Sequence, residues 1–245
     1  MLWMLKDMEI VMPQYKNELI KFIPSQNSLE VFATSEPGQQ LIHSLDRTLI
    51  WLSLFQKTYK GQPGVILLAS AHSKIIELWV LVPLRLLHSA SGSLRTILDM
   101  IFSYSFYVYH SKEWNAILSG RSGWEGRMNV FNWHLRFTPC FQEYSEKFGI
   151  GPMMDDLYRD LSGFIHGIPT QGLPTMQSLD RNELDKIDIT PVIQLAQRVD
   201  NCLNLFLVGA FHSLLPILSP SDYKIVLAQI DKSKLANCGI IIPSP

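Results

Sequence analysis

Residues 153–167 read MMDDLYRDLSGFIHG, and the order of apolar and polar side chains in this stretch decides the fold class. At about 100° per residue, Met153, Met154, Leu157, Leu161, Phe164 and Ile165 fall in one stripe, and Asp155, Arg159, Ser162 and His166 fall in another roughly opposite. The first stripe predicts a helix with one face on a core. The second faces water, a ligand or another subunit.

Arg159 and His166 are two helical turns apart, so they leave the same face stacked about 10 Å apart along the axis. Long side chains at that spacing can close around one phosphate. The helix is expected to stop at Gly167, which can take the left-handed conformation, with Pro169 preventing continuation. His166 would then sit at the carbonyl end, where the helix dipole favours the imidazolium form by a few tenths to about 1 kcal/mol. An imidazole so placed can exchange protons near neutrality. Gly163 costs roughly 0.5–1 kcal/mol against alanine inside a helix, and its place beside the polar stripe predicts a second backbone passing close by.

Working outward, 245 residues with 47% hydrophobic content can bury a full core in one domain. The formal net charge of -1 leaves no global basic field for nonspecific binding to nucleic acid or membrane, so such contacts must be local. Cys140, Cys202 and Cys238 are odd in number and widely spaced, which fits a reducing cytosol and gives no zinc motif. The N-terminal MLWMLKDMEIV lacks the features of a signal peptide, and a cytoplasmic location is expected. Residues 201–221 form the longest uncharged run, but two asparagines, a histidine and two prolines point to a buried helix rather than a membrane span.

Residues 1–36 read as a helical appendage, with short helices broken at Pro13 and Pro24 and then a polar loop, SQNSLEVFATSEPG. Leu41, Ile42, Leu45, Leu49, Leu52 and Phe55 keep helical spacing up to the turn at Gly61, Pro63 and Gly64, predicting one long helix. Residues 65–82 and 83–111 are two further helical runs, with Pro83 either kinking one helix or opening the second. Within the latter, Arg95 and Asp99 are spaced for an ion pair, partly exposed and worth under about 1 kcal/mol.

The glycines at 120, 123 and 126 mark a connection rather than a phosphate loop, since no strand precedes them and no Gly-Lys-Ser/Thr follows. A helix over 125–137 carries Arg127, Trp133, His134 and Arg136. These can hold single-stranded nucleic acid, or equally make a solvated face with a buried tryptophan. Residues 168–189 are too long for a simple connector and are a candidate lid. A helix is expected from Thr190, as N-cap before Pro191, to about Leu218, and another over Ser221–Leu235. No alternating run bounded by hairpin turns occurs. The class is all-α: an appendage over 1–36, a helical domain over 37–218 with four or five core helices, and a terminal helix and tail over 219–245.

A mostly helical chain with Arg159-Asp160-Leu161-Ser162-Gly163-Phe164-Ile165-His166 at a helix end resembles the HEPN superfamily, whose signature is an Arg, often with a polar residue after it, and a His after four to six intervening positions, six here. Tyr158 with LSGFIHG is similar to HEPN-like bacterial proteins with a Y-x-x-L-S-x-x-x-H-G pattern, whose preceding helix often bears an Arg and an acid four apart, as Arg95 and Asp99 are. The resemblance covers residues 40–218. It implies a helical bundle, usually a homodimer, in a family of metal-independent ribonucleases, toxins of toxin–antitoxin pairs, phage-defence effectors and members that only scaffold.

If the chain is such a ribonuclease, His166 is general base on a ribose 2′-OH or general acid on the leaving oxygen, with its dimer mate in the other role. Arg159 holds the phosphate. Tyr158, Asp160, Ser162, Arg95 and Asp99 support the pair, and Arg127, Trp133 and Arg136 are candidate RNA contacts. No metal or cofactor is needed, and DNA lacks the attacking hydroxyl. An antitoxin or sensor protein is a candidate partner. The same residues also fit a plain surface: an Asp155–Arg159 ion pair with His166 closing the last turn. His43, His72, His88, His110, His134 and His212 make no metal-binding motif, and neither a nucleophile elbow nor a Cys/His motif is present.

Overall fold

The computed structural model describes residues 26–165 and 186–238. The helices are α1 (Gln26–Thr34), α2 (Glu36–His43), α3 (Asp46–Thr58), α4 (Val65–Leu81), α5 (Leu87–Tyr107), α6 (Ser111–Leu118), α7 (Arg127–Phe137), α8 (Phe141–Phe148), α9 (Ile150–Ile165), α10 (Thr190–Phe211), α11 (Pro220–Leu227) and α12 (Lys232–Asn237), with a 3-10 segment over His212–Ile217. Among the described residues there is no strand. The fold is an all-α bundle, as the periodicity requires.

Two helices form its axis. α5 buries residues on nearly every turn, from Leu87 to Tyr107, and is packed by α4, α9, α10 and α7. α10 is buried over most of its length and touches α3, α5, α8 and α9. A helix apolar on most sides belongs in the middle of a bundle, which is where the uncharged run beginning at residue 201 lies. No helix among the described residues is long and apolar enough to cross a membrane.

α10 and α8 approach so closely at Gly209 that an added Cβ would lie 2.4 Å from Tyr144 Cδ1. Polar contacts fix the register of α3 against α10. The buried Asp200 carboxylate accepts from Thr48 N at 2.8 Å, from Thr48 Oγ1 at 2.7 Å and from Arg47 Nε at 2.6 Å. It thereby caps the first turn of α3 from another helix. One turn on, Trp51 Nε1 donates to Asn204 Oδ1 at 3.0 Å, and Asn204 Nδ2 donates to the Val226 carbonyl at 2.8 Å, tying in α11.

Several expectations change. The polar stretch expected as a loop is helical where it is described, over residues 26–34 and from residue 36 on. Ser35 caps α2, its side chain accepting from Gly38 N, with Pro37 in the first turn where a missing N–H costs nothing. The single helix expected from Pro37 to the Gly61 turn is broken at Ser44 and Leu45, where Ser44 Oγ donates back to the Leu41 carbonyl at 2.6 Å. The break lets α3 begin beneath Asp200. Pro83 neither kinks a helix nor opens one: it lies in a turn, with Arg85 at φ 60°, and α5 begins at Leu87.

The connection holding Gly120, Gly123 and Gly126 is as expected, and α7 follows it. Thr190 does not cap α10. It is the first helical residue, Ile189 takes the N-cap position without a side-chain cap, and Asp188 Oδ1 accepts from Thr190 N at 2.9 Å. The helix expected to reach Leu218 gives way to the 3-10 segment before Pro216, and the one expected over Ser221–Leu235 is two helices, the second capped by Asp231. The candidate lid over 168–189 falls mostly outside the described residues.

Candidate functional site

α9 carries the quoted stretch. Met154, Leu157 and Leu161 are buried, Met153 and Phe164 pack partly buried against the core, and Asp155, Asp156 and Arg159 are exposed. Gly163 is buried. Tyr158 and Ser162 lie on the flank facing α5, and there the two helices run antiparallel, joined by three polar rungs.

In the first rung, the Tyr158 hydroxyl donates to Asp99 Oδ1. In the second, Arg95 Nη1 donates to Ser162 Oγ at 3.2 Å. In the third, His88 Nδ1 meets the Phe164 carbonyl at 3.0 Å. Arg95 Nε and Asp99 Oδ2 are 3.8 Å apart, an ion pair too long for a hydrogen bond. Arg127 closes the network from α7: Nη2 donates to Asp155 Oδ1 at 2.8 Å, and Cζ lies 4.0 Å from the Tyr158 ring centroid. Burial, with the Asp99 carboxylate beside it, pushes the Tyr158 hydroxyl far above its ordinary range, so it stays a donor.

The residues of the motif therefore divide. Tyr158 and Ser162 are drawn to Arg95 and Asp99, whereas Arg159 is not. Its Nη2 donates to Asp156 Oδ1 on the open surface, where the Arg159 side chain is 69% exposed. The Asp155–Arg159 pair suggested by spacing does not form, because Asp155 is taken by Arg127. Asp160 faces the other way and pairs with Arg198 Nη2 of α10 at 2.7 Å. His166, with Gly167 and Pro169, lies outside the described residues.

Beside the rungs runs a groove of about 610 Å³ between α4 and α5, lined by Lys74, Glu77, His88, Gly92, Arg95 and Asp99 among others. Lys74 Nζ and Glu77 Oε2 are 2.5 Å apart, and Ser93 donates to Glu77 Oε1 at 3.1 Å. The Lys74 hydrogen bond holds the Glu77 carboxyl below the usual carboxylate range. Gly92 leaves the floor bare, since an added Cβ there would meet nothing within 4 Å.

The candidate RNA contacts on α7 do not share one surface. Arg127 is spent on α9, Trp133 packs half-buried against Phe106, Tyr109, His110 and Phe137, and Arg136 is exposed. His134, between them in sequence, is wholly buried. Cys202 and Cys238 are buried and Cys140 is exposed, all three as free thiols. Among the described residues no three His, Cys, Asp or Glu side chains are grouped to hold a metal ion.

Sequence reasoning missed His88 and Lys74. The signal was present for the first: His88 and Arg95 stand two turns apart on α5, the spacing of Arg159 and His166 in reverse order. This arrangement offers guanidinium and ammonium donors, hydroxyls and an imidazole along one groove at the end of α9. No known protein family, curated protein or solved structure matches the chain.

Proposed function

We propose that this chain is an HEPN-like endoribonuclease that cleaves RNA without a metal ion. In this reading it is cytoplasmic, acts as a homodimer, and serves as toxin or effector in a bacterial defence or toxin–antitoxin system under the control of an antitoxin or sensor protein. Arg159 binds the scissile phosphate and His166 carries a proton to or from the reacting oxygens. The observation that supports this best is the division of labour on α9. Tyr158 and Ser162 lock the helix to α5 through Asp99 and Arg95, while Arg159 is left on the surface with a single exposed ion pair. Such a pair is worth about 0–1 kcal/mol, little obstacle to an incoming phosphate. A groove with cationic and hydroxyl groups lies alongside.

One observation favours a second reading, a non-catalytic module of the same fold that binds a partner protein: Arg159 and Asp160 both have ion-pair partners, Asp156 and Arg198, as in a plain solvated helix. Expression and cleavage separate the two. The ribonuclease is expected to slow growth and to cut single-stranded RNA in chelator, leaving 2′,3′-cyclic phosphate ends and sparing DNA of the same sequence. Arg159→Ala and His166→Ala are each expected to lose about 100-fold or more in rate. Equal toxicity of both variants, or no cleavage by any form, rejects the ribonuclease in favour of the module.

A further inference from the structure

We infer that the groove between α4 and α5 is a subsite for one ribonucleotide unit of an RNA strand, with Arg95 holding a phosphate and Asp99 accepting from the adjacent ribose 2′-OH. The inference rests on the ribonuclease reading for the strand it serves. It concerns binding alone, so the two can fail separately.

Arg95 and Asp99 stand one turn apart on α5, and both line the groove. Each is held from behind by α9. Arg95 Nη1 is given to Ser162 Oγ at 3.2 Å, and its other N–H groups meet no hydrogen-bond acceptor among the described residues. Asp99 Oδ1 takes the Tyr158 hydroxyl, while Oδ2 stands 3.8 Å from Arg95 Nε, too far for a hydrogen bond. Both side chains are partly exposed, 33% for Arg95 and 43% for Asp99. A ligand therefore finds fixed donors and a fixed acceptor side by side.

Charge narrows the choice of ligand. Lys74 against Glu77, and Arg95 against Asp99, leave these four groove residues formally neutral, and Glu77 is further occupied by Ser93. A bare anion is drawn to Arg95 and repelled by the carboxylate beside it. A ligand that carries an anionic group next to a hydroxyl donor satisfies both. The phosphate and 2′-OH of a ribonucleotide are such a pair, and DNA lacks the hydroxyl. Acidic side chains read the ribose 2′-OH in the same way in dinucleotide-binding sites.

Size and surroundings agree with this ligand. A volume of about 610 Å³ is within the range of small-molecule sites. Gly92, between His88 and Arg95 in sequence, leaves the floor open, since an added Cβ would meet nothing within 4 Å. A carbonyl only accepts, so the 3.0 Å contact with Phe164 puts the hydrogen of the neutral His88 ring on Nδ1. Its Nε2 is then a second acceptor on a groove-lining ring, suited to a base N–H.

The test titrates uridine 3′-monophosphate, which has no phosphodiester to cut, into the full chain and reads binding from backbone amide NMR shifts. The shifts are expected to centre on His88, Gly92, Arg95 and Asp99. 2′-Deoxyuridine 3′-monophosphate and inorganic phosphate are each expected to bind at least about tenfold more weakly, the effect of losing a hydrogen bond to a charged group. Asp99→Ala is expected to bind the two nucleotides within about threefold of each other, and Arg95→Gln to weaken both by about tenfold or more. Gly92→Phe, which fills the groove at a site with open space, is expected to abolish binding with the fold intact.

Equal affinity of wild type for the two nucleotides, or for inorganic phosphate, overturns the inference without any variant. Undiminished binding to a folded Gly92→Phe chain does the same. The strand itself is tested by competition in Arg159→Ala, which the proposed reading makes inert, so that RNA stays uncut. Single-stranded RNA that fails to displace uridine 3′-monophosphate there overturns the inference in favour of a free nucleotide. A wild type that prefers the ribonucleotide yet cuts no RNA removes the ribonuclease reading and keeps the subsite, whereas one that cuts RNA but binds both nucleotides alike removes this inference alone.

Discussion

His134 makes the stability of the bundle depend on pH in a way that can be worked out in advance. Its ring is wholly buried, edge-on to Phe206 and Phe211 and tilted on Phe141. Ser105 Oγ gives its hydrogen to the Phe102 carbonyl at 2.6 Å and so accepts from His134 Nε2 at 3.0 Å. Thr138 Oγ1 then donates to Nδ1 at 2.8 Å, and both nitrogens of the neutral ring are satisfied. Burial, with His110 nearby as the second cause, pushes the pKa down from 6.5 to about 3. The unfolded chain takes up a proton near its ordinary pKa and the folded chain refuses it, so stability falls as pH drops from 6.5 towards 3.

Linkage makes the loss about 1.4 kcal/mol per pH unit in that window, or about 2 kcal/mol between pH 7 and pH 5. Urea unfolding at the two pH values measures it, in wild type and in His134→Gln, which cannot titrate there. Other groups contribute to both proteins, so the difference between their pH slopes isolates this one. The variant is expected to lose about 2 kcal/mol less than wild type over the interval. Equal slopes would refute the buried, neutral imidazole.

Asp200→Ala leaves Arg47 and the first turn of α3 without their acceptor, and chemical denaturation is expected to show a loss of about 3–5 kcal/mol. A loss under about 1 kcal/mol would mean that water replaces the carboxylate. Gly209→Ala drives a methyl against the Tyr144 ring and is expected to cost about 1–3 kcal/mol, although alanine is the better helix former; a raised melting temperature would show that the ring moves aside. Tyr158→Phe removes the donor to Asp99 while keeping the ring under Arg127. It is expected to cost about 0.5–1.5 kcal/mol, read as a lowered denaturation midpoint, with no change expected if Asp99 relies on Arg95 alone.

Helix class and most helix spans were legible because they depend on short periods in the chain: the apolar stripe of α9, the Gly and Pro turn after α3, the open connection before α7. What the sequence concealed depends on distance. Nothing near Ser44 and Leu45 announces a break, since its cause is a carboxylate at position 200. SQNSLEVFATSEPG reads as a loop from its polar residues, yet Ser35, Glu36 and Pro37 are also how a helix begins, and packing chooses between the two. In the candidate site, spacing found Arg159 and the Arg95/Asp99 pair but gave Arg159 the wrong partner, because Arg127 had claimed Asp155. His88 escaped notice because its value comes from the Phe164 carbonyl, seventy-six positions away.

The tie between Asp200 and the start of α3 spans 153 positions of sequence. On a ribosome adding about 5–20 residues per second, α3 would emerge roughly 8–30 s before the acceptor that completes it. Trp51 waits equally long for Asn204. During that interval a nascent segment rich in Leu, Phe and Trp is exposed, which makes it a natural client for chaperones. Slowing translation between these positions should lower the yield of correctly assembled protein.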